Sequence, residues 1–229
     1  MKILSGVEDC GAREANFESL RLALNYLGEE ISPAYFHGIA GTAFRIGGIC
    51  PCAPTCTAAM PLEQLIALLG YEYAVLPYSE STADADVGRM ISAVRASIDA
   101  GVPALVWNAF TPCEWNVVTG YDEDEEVFFG RGIRTGAKGD YVKKRWDRAK
   151  EQAGLTGMLA VLVKGRTGSL NRGEAEIAAL KEAVRHANDA QNANKLGGEW
   201  VFLQGKAAFI VGLGISFVMN AADINKPHF

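Results

Sequence analysis

Histidine is scarce in this chain. Only His37, His186 and His228 occur in 229 residues, so chemistry that needs an imidazole has three carriers to draw on. Positive charge is also short. The chain has 22 Lys and Arg against 27 Asp and Glu, for a formal net charge of −5 and a pI near 5.3. A nucleic-acid surface needs a basic stripe, and this balance argues against one. No apolar run reaches membrane length either. Residues 207–222 carry no charged side chain, but they fall short of the ~20 residues that span a bilayer. Gly212, Gly214, Ser216 and Asn220 interrupt them, so they read as a buried helix. The opening MKILSG holds no apolar segment of secretory-signal length, and the expectation is a cytoplasmic protein without a membrane partner.

What is present describes a globular chain. Hydrophobic residues make up 49% and charged residues 21%, outside the range of disordered sequences. The acidic run Asp122-Glu123-Asp124-Glu125-Glu126 reads as a solvated turn. Five cysteines, an odd number with three of them clustered, do not resemble a secreted disulfide framework.

Periodicity and turn residues divide the chain. Phe17, Leu20, Leu24 and Leu27 recur at helical spacing over residues 16–27, and Gly28 stands where a C-terminal cap belongs. Ser32-Pro33 marks the start of a short helix over 33–39. Residues 38–61 are rich in Gly, Pro, Thr and Cys and read as loop. A short helix over 61–69 closes at Gly70, and 71–77 reads as a strand. Met90, Ile91, Val94 and Ile98 form one face of a helix over 87–100. Strands are expected over 103–107, 114–121, 125–130 and 156–163, the middle two forming a hairpin about the acidic turn. Beyond the polar-glycine stretch 164–168, a polar helix covers 172–194 and an apolar one 199–220. Helices first, then strands, then helices, is the order of an α+β fold, not of an alternating doubly wound sheet.

Two segments carry a family resemblance. Residues 15–28, ANFESLRLALNYLG, are similar to the opening helix of bacteriocin-processing, papain-like cysteine peptidases and of the butirosin biosynthesis protein H N-terminal family. Residues 114–132, EWNVVTGYDEDEEVFFGRG, look like the strand pair that those families write as His-Trp/Tyr, apolar residues and Gly-Tyr-Asp. Residues 97–107 and HGIAGTAF (37–44) fit the same succession, which covers roughly residues 10–165. FLQGKAAF in the tail resembles the helical extension of the butirosin family. The resemblance implies a papain-like α+β domain over 1–165, with N-terminal helices packed on an antiparallel sheet, and a C-terminal helical extension over 166–229.

Acyl chemistry on such a fold needs a thiol at a helix N-terminus, where the macrodipole lowers its pKa. It also needs an imidazole within hydrogen-bond reach and a polar group to orient that imidazole. The family's spacing puts the nucleophile at Ala15 and the imidazole at Glu114. A methyl group cannot attack a carbonyl, and a carboxylate replaces an imidazole poorly. The resemblance therefore implies a catalytically degenerate member that keeps the cleft as a binding site for a peptide, an acyl-carrier arm or a small metabolite. Ala15, Asn16, Glu114 and Trp115 would line it, with Cys113, Asp122 and Asn108 close by and Asn108 as the remnant of the orienting group.

Two other readings come from the cysteines. Cys10, in Asp9-Cys10-Gly11, copies the surroundings of many such nucleophiles five residues upstream of the expected position. A loop folding back would bring it to the helix start and give an active peptidase or acyltransferase; Cys113 is the other candidate. Cys50, Cys52 and Cys56 offer soft ligands for a zinc-type metal, with a fourth from Cys10, Cys113 or His37. They could equally form a reversible disulfide, pair with Cys10 or remain plain thiols. The apolar tail can pack on its own domain or join two copies as a homodimer through the C-terminal helices.

Overall fold

The computed structural model describes residues 1–11, 15–41, 60–133, 135–136, 138–168 and 172–188. They belong to two compact units. One comprises Met1–Pro33 with Leu62–Leu170, the other Ala34–Pro61 with Asn171–Phe229.

The first unit is an α+β body with an antiparallel seven-stranded sheet. Its strands are β1 (Lys2–Ile3), β2 (Tyr71–Pro77), β3 (Ala104–Trp107), β4 (Trp115–Asp122), β5 (Val127–Arg131), β6 (Val142–Arg145) and β7 (Met158–Arg166). The spatial order is β2-β7-β3-β4-β5-β6, and β1 pairs with the far part of β4. β3, at the centre, is buried along its whole length, and Leu159–Val163 of β7 are buried beside it. The sequence marks neither β1, which is only two residues long, nor β6, whose VKKR lacks the apolar alternation of a half-buried strand.

Helices α1 (Ala15–Tyr26), α3 (Leu62–Leu68) and α4 (Ala83–Asp99) complete this unit. Phe17, Leu20, Ala23 and Leu24 of α1 are buried, which is what their spacing requires. The helix stops at Gly28, where φ is +99° and Glu29 N donates to Leu24 O at 3.1 Å. This is the closing bond of a Schellman cap. α4 buries Val87, Met90, Val94 and Ile98. It begins four residues earlier than its apolar stripe because Asp86 folds back. The Asp86 carboxylate accepts from Ser79 N at 2.9 Å and Thr82 Oγ1 at 2.7 Å, tying down the preceding turn.

In the second unit lie α2 (Pro33–Ile39, but for its first residue) and α5 (Arg172–Asn188). Ala175, Ala179 and Ala183 of α5 are buried. Tyr35 OH of α2 donates to Glu176 Oε1 of α5 at 2.9 Å, and Arg172 lies 5.1 Å from the Tyr35 ring centre. The rest of the expected tail helix, and the one over 199–220, lie outside the described residues. Among these residues no helix is long and apolar enough to cross a membrane.

Gly130 shows how tightly the sheet is filled. A Cβ there would collide with Val117 O and stand 2.6 Å from Phe110 Cε2. Gly130→Ala is therefore expected to cost about 1–3 kcal/mol or more, as overpacking does. A urea titration of the variant beside the parent chain measures this, and equal midpoints would contradict it.

Candidate functional site

The direction of α1 is fixed by polar contacts at its two ends. Near its start, Ser19 Oγ donates to Trp115 O at 3.0 Å. Just past its end, Glu29 Oε1 accepts from Tyr71 OH at 2.7 Å and pairs with Arg166 at 2.9 Å. Trp115 pairs with Trp107 across β3 and β4, whereas Tyr71 pairs with Arg166 at the opposite end of the sheet. The N-terminal end of α1 therefore lies at the sheet end where β3 finishes and β4 starts. Ala15 and Asn16 open the helix there, with its partial positive charge. Glu114, 2% exposed, and Asn108, also 2% exposed, belong to the β3–β4 connection at that same end. Asn16 Oδ1 is buried without a hydrogen-bond partner.

Not every expected site residue is available to a ligand. Asn108 has φ +55°, and its side chain is fully engaged. Its Oδ1 accepts from Cys113 N at 2.8 Å and its Nδ2 donates to Arg148 O at 3.0 Å, while its own N–H reaches Glu114 O at 2.8 Å. These contacts brace the turn. Cys113, at φ +57°, is half-buried, and its thiol meets the side chain of Gln152, itself at φ +57°. Trp115 is packed edge-on against Trp107, ring centres 5.8 Å apart, and is only 6% exposed. It serves as wall rather than surface. Asp122 is misplaced by the sequence reading. It stands seven residues along β4 from Trp115, roughly 23 Å away at strand rise. There its Oδ1 accepts from the N–H groups of Asp124 and Glu125 at 3.0 and 3.3 Å, closing the hairpin turn.

Cys10 is held by a different set of contacts. Glu18 and Arg21, one and two turns into α1, are buried to 1% and 3% exposure and joined by two hydrogen bonds of 2.8 Å. Gly11 N donates to Glu18 Oε1 at 2.5 Å. Arg21 also reaches Glu8 at 3.1 Å and Ile31 O at 3.2 Å. On the other side, Arg131 of β5 pairs with Asp9 at 3.0 Å and donates to Val7 O at 3.2 Å. The segment 7–11 is thus strapped beside Glu18, Arg21 and Arg131. Burial, reinforced by the Glu18 carboxylate, pushes the Cys10 thiol from its ordinary 9.0 up to about 12. A nucleophilic cysteine needs the opposite shift.

Sequence reasoning passed over three residues that shape this end. Asn116 is fully buried, and its Oδ1 accepts from Phe110 N at 2.5 Å and Thr111 N at 2.9 Å, fixing the loop that leads to Glu114. Glu18 and Arg21 do the same for the strap. The available signal was their three-residue spacing on a helix whose other inward positions, Ser19 apart, are apolar. Cys50, Cys52, Cys56 and His228 lie outside the described residues, as does the side chain of His186. His37 belongs to the second unit. The described residues contain no group of three or more His, Cys, Asp or Glu placed to hold a metal ion.

The raised Cys10 pKa makes two predictions. Iodoacetamide near neutral pH should leave Cys10 unmodified in the folded chain and alkylate it in denaturant; rapid labelling of the folded chain would contradict the geometry. The folded chain also keeps the thiol proton longer than the unfolded one. The resulting contribution to stability is complete below pH 9.0 and is lost as pH rises toward about 12. Tyr71 is likewise pushed from 10.0 up to about 12, by burial and by Glu29. Cys10→Ala should therefore flatten the alkaline fall in stability without abolishing it, and an unchanged profile would count against it.

No family model matches the chain, and neither a curated protein nor a solved structure matches it.

Proposed function

We propose that this chain is a papain-like domain, similar to the butirosin biosynthesis protein H and bacteriocin-peptidase families, that has lost their acyl chemistry. It binds a peptide, an acyl-carrier arm or a small metabolite at the sheet end where α1 begins. One observation carries this reading. The start of α1 and buried Glu114 share one end of an antiparallel sheet, as a thiol and an imidazole would on a working papain-like fold, while the residues at those two positions are Ala15 and Glu114. Cys10, the thiol best suited by sequence to substitute, keeps its proton and is tied to Glu18 through its neighbour Gly11. Nucleophilic catalysis needs a thiolate with a base in reach, and the raised pKa of Cys10 works against the first of these.

A second reading, an active peptidase or acyltransferase, finds support in Cys113. It is half-buried, precedes Glu114 directly and adopts a left-handed backbone of the kind that collects at functional sites. A third, a metal- or redox-responsive protein, rests on the composition of Cys50, Cys52 and Cys56.

Three measurements on the full chain separate these readings. Peptide and acyl-thioester reporters are incubated with the protein, and intact mass is recorded alongside turnover. The binding reading predicts no turnover above the blank and no acyl adduct; an adduct on Cys113 that Cys113→Ser removes would establish the second reading instead. Elemental analysis of protein purified without chelator, with a free-thiol count, tests the third. Five free thiols and no metal would remove it.

A further inference from the structure

The two edges of the sheet are guarded unequally. β6 presents Lys143, Lys144 and Arg145 to solvent, the usual means by which an edge strand repels another. β2, at the opposite edge, carries a single charged residue, Glu72, in YEYAVLP. Its inner side pairs with β7, Tyr73 with Val163 through Leu76 with Ala160, and the register is interrupted only at the two ends. Its outer side has no strand partner among the described residues. Tyr73 is 42% exposed, and Ala74, Val75 and Leu76 are half-buried. Such an edge leaves backbone N–H and C=O groups pointing outward in a regular row.

We propose that a second copy of this chain occupies the edge, its β2 pairing antiparallel with this one about a two-fold axis through Ala74. An antiparallel pair is isologous by construction, so a strand is compatible with itself where no repulsive pair results. Centred on Ala74, the register sets Tyr73 against Val75 of the second copy, twice, and Glu72 against Leu76. The first is an aromatic against a β-branched residue, a favoured cross-strand combination. No two like charges face one another. A strand pair this short falls below the ~1,200 Å² of stable interfaces, so the dimer forms with rising concentration instead of being permanent. This assembly is independent of what the sheet end binds.

Sedimentation velocity of the full chain over a wide concentration range tests it. The weight-average mass should climb from 24.6 kDa toward twice that value. Tyr73→Lys with Val75→Lys sets lysine against lysine at both pairs and should raise the dimer dissociation constant about tenfold or more. Tyr73→Glu with Val75→Lys sets opposite charges in the same register and should restore the dimer, which also shows that substitution here leaves the fold intact. A chain that stays monomeric throughout would overturn the proposal. So would a dimer indifferent to the lysine pair, which would assign the contact to another surface.

Discussion

A carboxylate and a guanidinium buried together in one helix organise the start of this molecule. Charged groups leave water at a cost of several kcal/mol each, and only close, well-directed partners offset it. Glu18 and Arg21 meet that condition through two 2.8 Å bonds, and the hydrogen-bonding capacity left over is spent on the chain around them. Glu18 takes the Gly11 N–H, and Arg21 takes Glu8 and the Ile31 carbonyl. One pair thereby fixes the segment that enters α1 and the segment that leaves it. The position of Cys10, and with it the state of its thiol, follows from that arrangement.

The sheet supplies the second constraint. Because β3 and β4 are antiparallel and joined by a short connection, Trp107 and Trp115 must lie side by side, and the residues between them must gather at one sheet end. Asn108 and Asn116 then take up the amides of Cys113, Phe110 and Thr111 within that connection. The result is a preorganised rim at the start of α1.

Much of the architecture is legible in the residues themselves. The apolar spacing of Phe17, Leu20 and Leu24, the cap at Gly28 and the break at Gly70 define helices and strands close to those observed. The α+β class follows from their order. The site is less legible, for physical reasons. Asn108 and Asp122 are polar residues of the same general promise in sequence, yet one is consumed by a left-handed turn and the other by a hairpin about 23 Å away along the strand. Side-chain hydrogen bonds to backbone have no periodicity to reveal them. Nor does composition reveal that the thiol of Cys10 is half-buried near a carboxylate, because Glu18 is eight residues away and faces inward only once α1 has folded. β6 escaped notice because an edge strand needs charge on the outside, the reverse of the pattern by which strands are found.

The buried pair is the feature most directly open to measurement. A double-mutant cycle with Glu18→Gln, Arg21→Met and the two together, each unfolded in urea, gives its coupling energy. If the pair holds the strap and α1 together, each single change strands a buried charge or leaves its partners unpaired and costs about 3–5 kcal/mol. The double variant should then cost well below the sum of the two. Additivity to within about 0.5 kcal/mol would mean that the two side chains act independently and that something else positions Cys10.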